Sequence, residues 1–160
     1  MVSGGKLHLR YSIDSDVLIQ AWRDYPIDNF PSVWNSLESM AERGIIGVSE
    51  LILDELKRGG DDLYKWAKDL QSTIVIPTTA EIESEVAYLV NEYSNFGIIT
   101  GKNMGDPFVV ALARANNCSV VTNEKRSGNL NGPKIPDICL SENITWVRFV
   151  DIIKEQGLVF

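Results

Sequence analysis

The segment YSIDSDVLIQAW, residues 11–22, joins a short β-rich run to a helical period, and two aspartates stand near the junction. The apolar character up to Ile13 predicts a buried strand, and the spacing that follows predicts a helix. Asp14 and Asp16 therefore follow the carboxyl end of a strand, where open parallel sheets usually bind ligands. Taken alone, the pair also fits a helix cap at Asp16 and a solvated turn residue at Asp14.

Short β-rich runs alternate with helical periods along the whole chain. This alternation predicts an α/β fold with a central, mainly parallel sheet of four or five strands. The predicted strands are residues 7–13, 45–48, 73–76, 119–122 and 144–147. The predicted helices are residues 17–25, 31–43, 49–58, 61–71, 78–94 and 149–156, with a further apolar helix beginning at Asp106. A loop rich in Gly, Pro and Asn is expected at residues 127–136.

The composition is that of an ordinary globular chain and restricts the function classes. The 160 residues are 44% apolar and 23% charged, with a net charge of −7, and they predict one domain spanning residues 1–160. The negative net charge argues against non-specific binding along polyanions such as nucleic acids, although it allows a local basic patch. No apolar run approaches the ~20 residues of a membrane span, and two cysteines are too few for a disulfide scaffold. We therefore expect a reduced, cytoplasmic protein with no membrane association.

Glu55, in VSELILDEL (residues 48–56), lies on the apolar side of a predicted helix. At ~100° per residue it falls between Leu51 and Ile52. A buried carboxylate costs free energy unless it is partnered or bound to a cation. Glu55 is therefore either an edge residue whose carboxylate reaches water or an acid that points into a site.

Two further acids stand at the ends of predicted elements in the second half of the chain. Asp106 precedes Pro107 at a helix start, where capping alone would explain it. Glu124 follows the fourth predicted strand, after Thr122 and Asn123, whose polar side chains can orient ligands or water. If the first and fourth strands are neighbours with crossovers leaving in opposite directions, these acids converge with the first pair at a topological switch point.

These segments together resemble the PIN-domain family of VapC-type toxin ribonucleases, and in particular a PIN-like subfamily. IDSDVLI resembles the family's opening strand, and VSELILDEL resembles its helix, with Ser49 six residues before Glu55. GDPFVVALARANNCSVVTNE, residues 105–124, is similar to the family's Asp-led helix, short strand and acidic ending. Two residues depart from the usual pattern: Asp16 stands where Asn or Ser is commoner, and Glu124 where Asp or Asn is usual.

The resemblance implies a three-layer α/β/α domain that acts as an endoribonuclease dependent on Mg²⁺ or Mn²⁺. Carboxylates ~4 Å apart repel each other by about 4 kcal/mol per pair at an effective dielectric of 20. A hard divalent ion relieves this repulsion, and a purely oxygen-based ligand set suits Mg²⁺ or Mn²⁺. Such an ion can activate water for attack on a phosphodiester. The implied catalytic residues are Asp14, Glu55, Asp106 and Glu124, and the implied metal ligands are the same four with Asp16.

The resemblance also implies an RNA substrate, a cognate antitoxin protein and a homodimer. Residues near the proposed site are candidates for substrate contacts, although they can equally be ordinary surface groups: Lys102, Asn123, Lys125 and Arg126. His8 lies near the start of the first strand, away from the predicted crevice, and we expect it to be structural. Core packing is favoured over base stacking for the four tryptophans, Trp22, Trp34, Trp66 and Trp146.

Two other functions remain open at this point. A PIN-like module without catalysis, acting in binding or regulation, would keep the fold and the order of the motifs. A phosphatase of the haloacid-dehalogenase type also begins with strand-Asp-x-Asp, and GDP at residues 105–107 is similar to its late motif. That chemistry expects an acid four residues after Asp106, where Val110 stands, and it leaves Glu55 unexplained.

Overall fold

The computed structural model describes residues 8–97 and 105–160 and contains a five-stranded parallel sheet. Its strands are β1 (Tyr11–Ile13), β2 (Ile46–Ser49), β3 (Val75–Ile76), β4 (Ser119–Val121) and β5 (Trp146–Val147). Their order is β3–β2–β1–β4–β5, and every neighbouring pair is parallel. The central strand β1 is hydrogen-bonded to both β2 and β4. The first and fourth strands are therefore neighbours, as predicted, and the chain changes direction across the sheet between them.

Nine α-helices within the described residues cover the two faces of this sheet. They are α1 (Ser15–Asp24), α2 (Pro31–Glu42), α3 (Glu50–Glu55), α4 (Asp61–Asp69), α5 (Gln71–Ile74), α6 (Ala80–Glu92), α7 (Asp106–Asn116), α8 (Ile135–Ser141) and α9 (Phe149–Glu155). Helices α1 to α5 contact one another, whereas α6 and α8 both contact α7. Right-handed crossovers place these two groups on opposite faces, which confirms the α/β/α layering. None of the described helices is long and apolar enough to cross a membrane.

A buried polar residue fixes the central strand against the helix behind it. Ser12 lies in β1 and donates a hydrogen bond from Oγ to the carbonyl oxygen of Val109 in α7, at 2.7 Å. This bond explains how a strand that is buried throughout can include a serine, because a partnered hydroxyl is inexpensive to bury. It also fixes the start of α7 close to the carboxyl end of β1.

Several predicted boundaries were wrong. The first strand begins at Tyr11, so residues 8–10 lie before it, and Leu7 lies outside the described residues. The third strand is only Val75–Ile76, because α5 includes the first two residues of the predicted strand. Thr79 rather than Thr78 is the N-cap of α6, and its side chain accepts a hydrogen bond from the Ile82 N–H at 3.2 Å.

Helix α8 was not predicted, and one carboxylate organises the loop that precedes it. Asp137 accepts hydrogen bonds from the backbone N–H groups of Ser127, Gly128 and Lys134 at 2.8–2.9 Å. The Ser127 hydroxyl also donates to Asp137, at 2.8 Å. These four donors draw the expected loop back onto the first turn of the helix.

Three tryptophans pack against one another in the core, as the sequence analysis favoured. The Trp34 ring lies 4.7 Å from the Trp22 ring and 4.9 Å from the Trp66 ring, both in edge-on geometry. Trp34 is fully buried and its indole N–H donates to the carbonyl oxygen of Tyr25. Trp146 is half-buried within β5.

Candidate active site

The carboxyl ends of β1 and β4 bring three carboxylates together at the switch point. Asp14 directly follows β1, Asp16 lies in the first turn of α1, and Glu124 follows β4. One carboxylate oxygen from each of the three residues lies within 4.8 Å of the others. Because these acids arrive from both sides of the direction change, the sheet topology itself assembles the cluster.

Asp14 lies at the centre of this cluster and is buried. Its Oδ2 accepts a hydrogen bond from the Thr122 hydroxyl at 3.1 Å, and the Glu124 N–H donates to that hydroxyl oxygen at 3.1 Å. Burial raises the pKa of Asp14 to about 7, and the charges of Glu124 and Asp16 add to this rise. Thr122 acts in the opposite direction. Asp14 is thus not a solvated turn residue, and Asp16 is not the cap of α1, because the N-cap position is Asp14 itself.

Asp106 is the first residue of α7, and capping does not account for it. The N-cap position belongs to Gly105, and the helix has no cap formed by a side chain among the described residues. Burial raises the pKa of Asp106 to about 9, and the nearby charges of Asp14, Glu124 and Glu55 raise it further. The carboxyl group of Asp106 therefore faces the same acidic cluster.

Glu55, the last residue of α3, turns inward as one of the two sequence interpretations proposed. Its Oε2 accepts a hydrogen bond from the Ser15 hydroxyl at 2.7 Å, and its Oε1 accepts one from the Gly105 N–H at 3.0 Å. A Cβ at position 105 would lie 2.1 Å from Oε1, which is closer than the atoms can approach. Gly105 is therefore required for the observed position of the Glu55 carboxylate.

Arg58 is a cation of this site that the sequence analysis did not identify. Its Nη2 lies 3.1 Å from Ser15 Oγ, 3.3 Å from Asp16 Oδ1 and 3.5 Å from Glu55 Oε2. Regular helical spacing places Arg58 on the solvent face with Glu50. After Glu55, however, the chain continues as a 3₁₀ helix (Leu56–Gly59), in which residues three apart align on one side. The sequence signal that could have identified Arg58 is its position three residues after Glu55 and directly before Gly59 and Gly60.

Ser49, which the resemblance pairs with Glu55, lies at the carboxyl end of β2 as the N-cap residue of α3. Its hydroxyl oxygen is buried and has no hydrogen-bond partner among the described residues. The side chain therefore occupies the same edge of the sheet as the acids.

The donor set fits a hard divalent cation. The carboxylates are mutually repulsive, and burial together with that repulsion raises the pKa values of Asp14 and Asp106. Burial also raises the pKa of Glu124, although the nearby Lys134 lowers it in part. An oxygen-only cluster that is destabilised by its own charge has the chemistry of an Mg²⁺ or Mn²⁺ site. Of the five predicted metal ligands, Asp14, Asp16 and Glu124 form the group within 4.8 Å, and Glu55 and Asp106 are not part of it.

The four residues predicted to contact substrate have different surroundings in the structure. Asn123 donates from Nδ2 to Gln20 Oε1 and accepts from the Phe149 N–H, so its side chain ties loops together beside the cluster. Arg126 is half-exposed and lies 3.9 Å from Asp137. Lys125 is exposed, and Lys102 lies outside the described residues. Lys134 was missed because it is distant in sequence and reaches Glu124 only through the folding of the 127–134 loop.

Among the described residues, neither the two cysteines nor His8 is suited to nucleophilic chemistry at this site. Burial raises the pKa of Cys118 to about 12, and burial likewise raises that of Cys139 to about 12. Both side chains are therefore neutral thiols at physiological pH. His8 is exposed and precedes β1, at the opposite end of that strand from the acids.

Comparison with known proteins places the chain in a family. The profile described as "Domain of unknown function (DUF4411)" matches residues 11–160. The chain belongs to the DUF4411 family. This family member is also similar to a chain in the crystal structure of VapBC2 from Rickettsia felis bound to a DNA fragment from their promoter. The TM-score is 0.57 at 21% identity, with 88% of this chain and 99% of that chain covered.

These findings agree with the PIN-like fold predicted from the sequence. The five parallel strands, the α/β/α layers and the likeness to VapBC2 confirm that prediction for this DUF4411 protein. No curated protein matches the chain significantly. The acids at the switch point are therefore the main observation that bears on activity.

Proposed function

We propose that this protein is a metal-dependent endoribonuclease in which Asp14, Asp16 and Glu124 bind Mg²⁺ or Mn²⁺. The observation that carries the proposal is the meeting of these three carboxylates within 4.8 Å at the sheet's switch point. Burial raises the pKa of Asp14 to about 7, which shows that its charge is not compensated by protein donors. A bound divalent ion would supply the missing positive charge.

Three residues around the proposed metal ligands would support the reaction. Thr122 orients the Asp14 carboxylate through its hydroxyl hydrogen bond. Asp106, whose pKa is raised to about 9 mainly by burial, retains its proton until positive charge enters the site. Glu55 is held by hydrogen bonds from Ser15 and Gly105, and its carboxylate would orient the attacking water. When bound, the metal would activate water and neutralise charge at the phosphodiester.

The RNA substrate would be recognised mainly through its phosphates. The acidic cluster repels a polyanion, so cations around its rim must provide the attraction. Lys134 lies close enough to Glu124 to lower its pKa, and Lys102, Lys125 and Arg126 are the further candidates. The likeness to VapBC2 supports the proposal that the protein is the toxin of a toxin–antitoxin pair, with an antitoxin partner. The homodimer stays a prediction from the family resemblance.

Metal-dependent cleavage of mixed single-stranded RNA tests the activity. We expect wild-type protein with Mn²⁺ to cut, and EDTA to stop it. Asp14→Asn and Glu55→Gln should each reduce the rate at least ~100-fold. Asp54→Asn is the matched control, because this acid lies on α3 beside Glu55 but is exposed and pairs with Lys57 at 3.8 Å.

The outcome also separates the proposed nuclease from a PIN-like module without catalysis. Wild-type protein that binds Mn²⁺ but cuts neither RNA nor single-stranded DNA would overturn the nuclease and favour the binding module. Equal cutting by wild type and Asp14→Asn would show that a contaminant produces the activity.

A further inference from the structure

We propose that Arg58 is an internal counter-ion that competes with the divalent cation for the carboxylates of Asp16 and Glu55. This inference rests on the proposed metal site and adds a residue that regulates its occupancy. Its basis is that one nitrogen, Nη2, lies within 3.5 Å of oxygen atoms on both acids and on Ser15. No other described Lys or Arg forms a salt bridge with an acid of the cluster.

The contacts of Arg58 place positive charge where the metal-free protein needs it. Asp16 belongs to the group of three carboxylates, and Glu55 adds to the charge that raises the pKa values of Asp14 and Asp106. The guanidinium is always charged, so it partly neutralises this edge of the cluster at any ordinary pH. A metal ion that binds there must therefore share or replace a partner that is already present.

The same contacts are weak enough to be released. The distances of 3.3 Å to Asp16 and 3.5 Å to Glu55 exceed the ~2.7–2.9 Å of strong charge-assisted hydrogen bonds. The side chains of Arg58 and Asp16 are 52% and 56% exposed, so water can replace that contact at low cost. Glu55 is only 19% exposed, but it keeps its hydrogen bonds from Ser15 and Gly105 when Arg58 leaves. Arg58 can thus leave both acids when a cation of higher charge arrives, and its Nη2 is then available to a phosphate while Nε still donates to the Glu55 carbonyl oxygen at 3.4 Å.

The neighbouring Lys57 provides an internal comparison. It lies in the same 3₁₀ helix, is similarly exposed and carries the same charge. Its partner is Asp54, which is outside the acidic cluster. Removal of the Lys57 charge therefore changes the net charge equally without freeing a ligand.

Calorimetric titration of Mn²⁺ into the RNA-free protein tests the competition. Arg58→Met should bind Mn²⁺ on the order of tenfold more tightly than wild type, because a positive charge that competes for two of the carboxylates is removed. Arg58→Gln, which keeps polarity and length, should bind more tightly as well. Arg58→Lys should remain close to wild type, and Lys57→Met should stay within about twofold.

RNA cleavage at saturating Mn²⁺ provides the second readout. If Arg58 turns to the substrate phosphate, Arg58→Met should cleave more slowly although it holds metal more tightly, and these opposite signs distinguish competition from general damage. Equal or weaker Mn²⁺ binding by both Arg58→Met and Arg58→Gln, in folded protein, would overturn the inference and leave the nuclease proposal standing. Wild-type protein that binds no Mn²⁺ would overturn the proposed function itself, and this inference with it.

Discussion

Two buried carboxylate sites in this protein have opposite electrostatics. Asp14 and Asp106 are 1% and 7% exposed, and Asp137 is 4% exposed. Burial raises the pKa of Asp14 to about 7 and that of Asp106 to about 9, and neighbouring acids add to both shifts. Burial acts in the same direction on Asp137, but three backbone N–H donors and a serine hydroxyl lower its pKa to about 2. Exposure alone therefore does not distinguish these sites.

The two kinds of buried acid differ in how many protein donors surround the carboxylate. Asp137 has a full set of protein donors, and its role is to order the loop before α8. Asp14 has one hydroxyl donor and other carboxylates as neighbours. A charged group that the protein leaves uncompensated is costly, so its position is better explained by a cation from outside.

The largest expected effect comes from Asp106→Asn. At pH 8 the folded protein keeps a proton on Asp106 that the unfolded chain has lost, and a neutral amide removes this cost, so metal-free protein should become more stable by about 2 kcal/mol or more. The same change should lower RNA cleavage at least ~100-fold. Chemical denaturation in EDTA and a cleavage assay measure the two effects. A variant that is less stable and fully active would contradict this assignment.

The matching change at the other site should have the opposite sign. Asp137→Asn replaces an acceptor of four hydrogen bonds by an amide, and we expect a loss of about 2–3 kcal/mol in the free energy of unfolding. Mn²⁺ affinity, measured by calorimetry at a temperature where the variant is folded, should change less than about twofold. A strong loss of metal affinity with unchanged stability would reverse the roles given to the two sites.

The pH dependence of stability should show the same contrast. In the folded protein Asp14 and Asp106 hold their protons up to pH values near 7 and 9, whereas in the unfolded chain they lose them near 4. Between these limits the folded state binds more protons, so the free energy of unfolding of metal-free protein falls as pH rises. At ~1.4 kcal/mol for each pH unit over which one acid keeps its proton, the two pKa values together imply a decrease of up to about 8 kcal/mol from pH 5 to pH 9.

Asp137 changes the free energy of unfolding in the opposite direction and at lower pH. Its pKa of about 2 in the folded state lies below the unfolded value, so its stabilisation is complete above pH ~4 and is lost as pH falls. Urea titrations at several pH values, with Asp106→Asn for comparison, separate the two contributions. A flat profile from pH 5 to pH 9 for wild type would contradict the raised pKa values.

The smallest effect should come from Thr122→Val. This near-isosteric change removes the hydroxyl that lowers the pKa of Asp14, so that pKa should rise further. Metal binding at pH 7 then requires release of a proton from a larger share of molecules, and Mn²⁺ affinity should fall about three- to tenfold. The deficit should shrink at pH 8.5. An effect that does not depend on pH would indicate a packing role for Thr122 instead.

The sequence predicted the fold and the general position of the site for physical reasons that can be named. Alternation of strands and helices predicted the parallel sheet, and Asp14 and Glu124 at two strand ends indicated the crevice. The helical spacing left two positions open for Glu55, and the one in which its side chain points into the site is the one observed. The third strand was predicted two residues too long at its start, because residues 73–76 are too short a run to separate a strand from a helical turn.

The contacts of the site could not be predicted, because they depend on local geometry that is not periodic. The contacts of Arg58 with Asp16 and Glu55 depend on how the 3₁₀ helix after α3 packs against α1. Lys134, whose charge lowers the pKa of Glu124, lies in a loop that is organised by hydrogen bonds to Asp137. Asp106 looked like a cap, and its burial beside other carboxylates depends on the packing of α7 against β1.

Anomalous scattering from a crystal soaked in Mn²⁺ tests directly whether Asp14, Asp16 and Glu124 bind the metal. We expect a peak about 2.0–2.4 Å from oxygen atoms of these three residues, with the Arg58 guanidinium withdrawn from Asp16. A fully soaked crystal with no peak among these carboxylates, and with Arg58 still bound to Asp16, would contradict it.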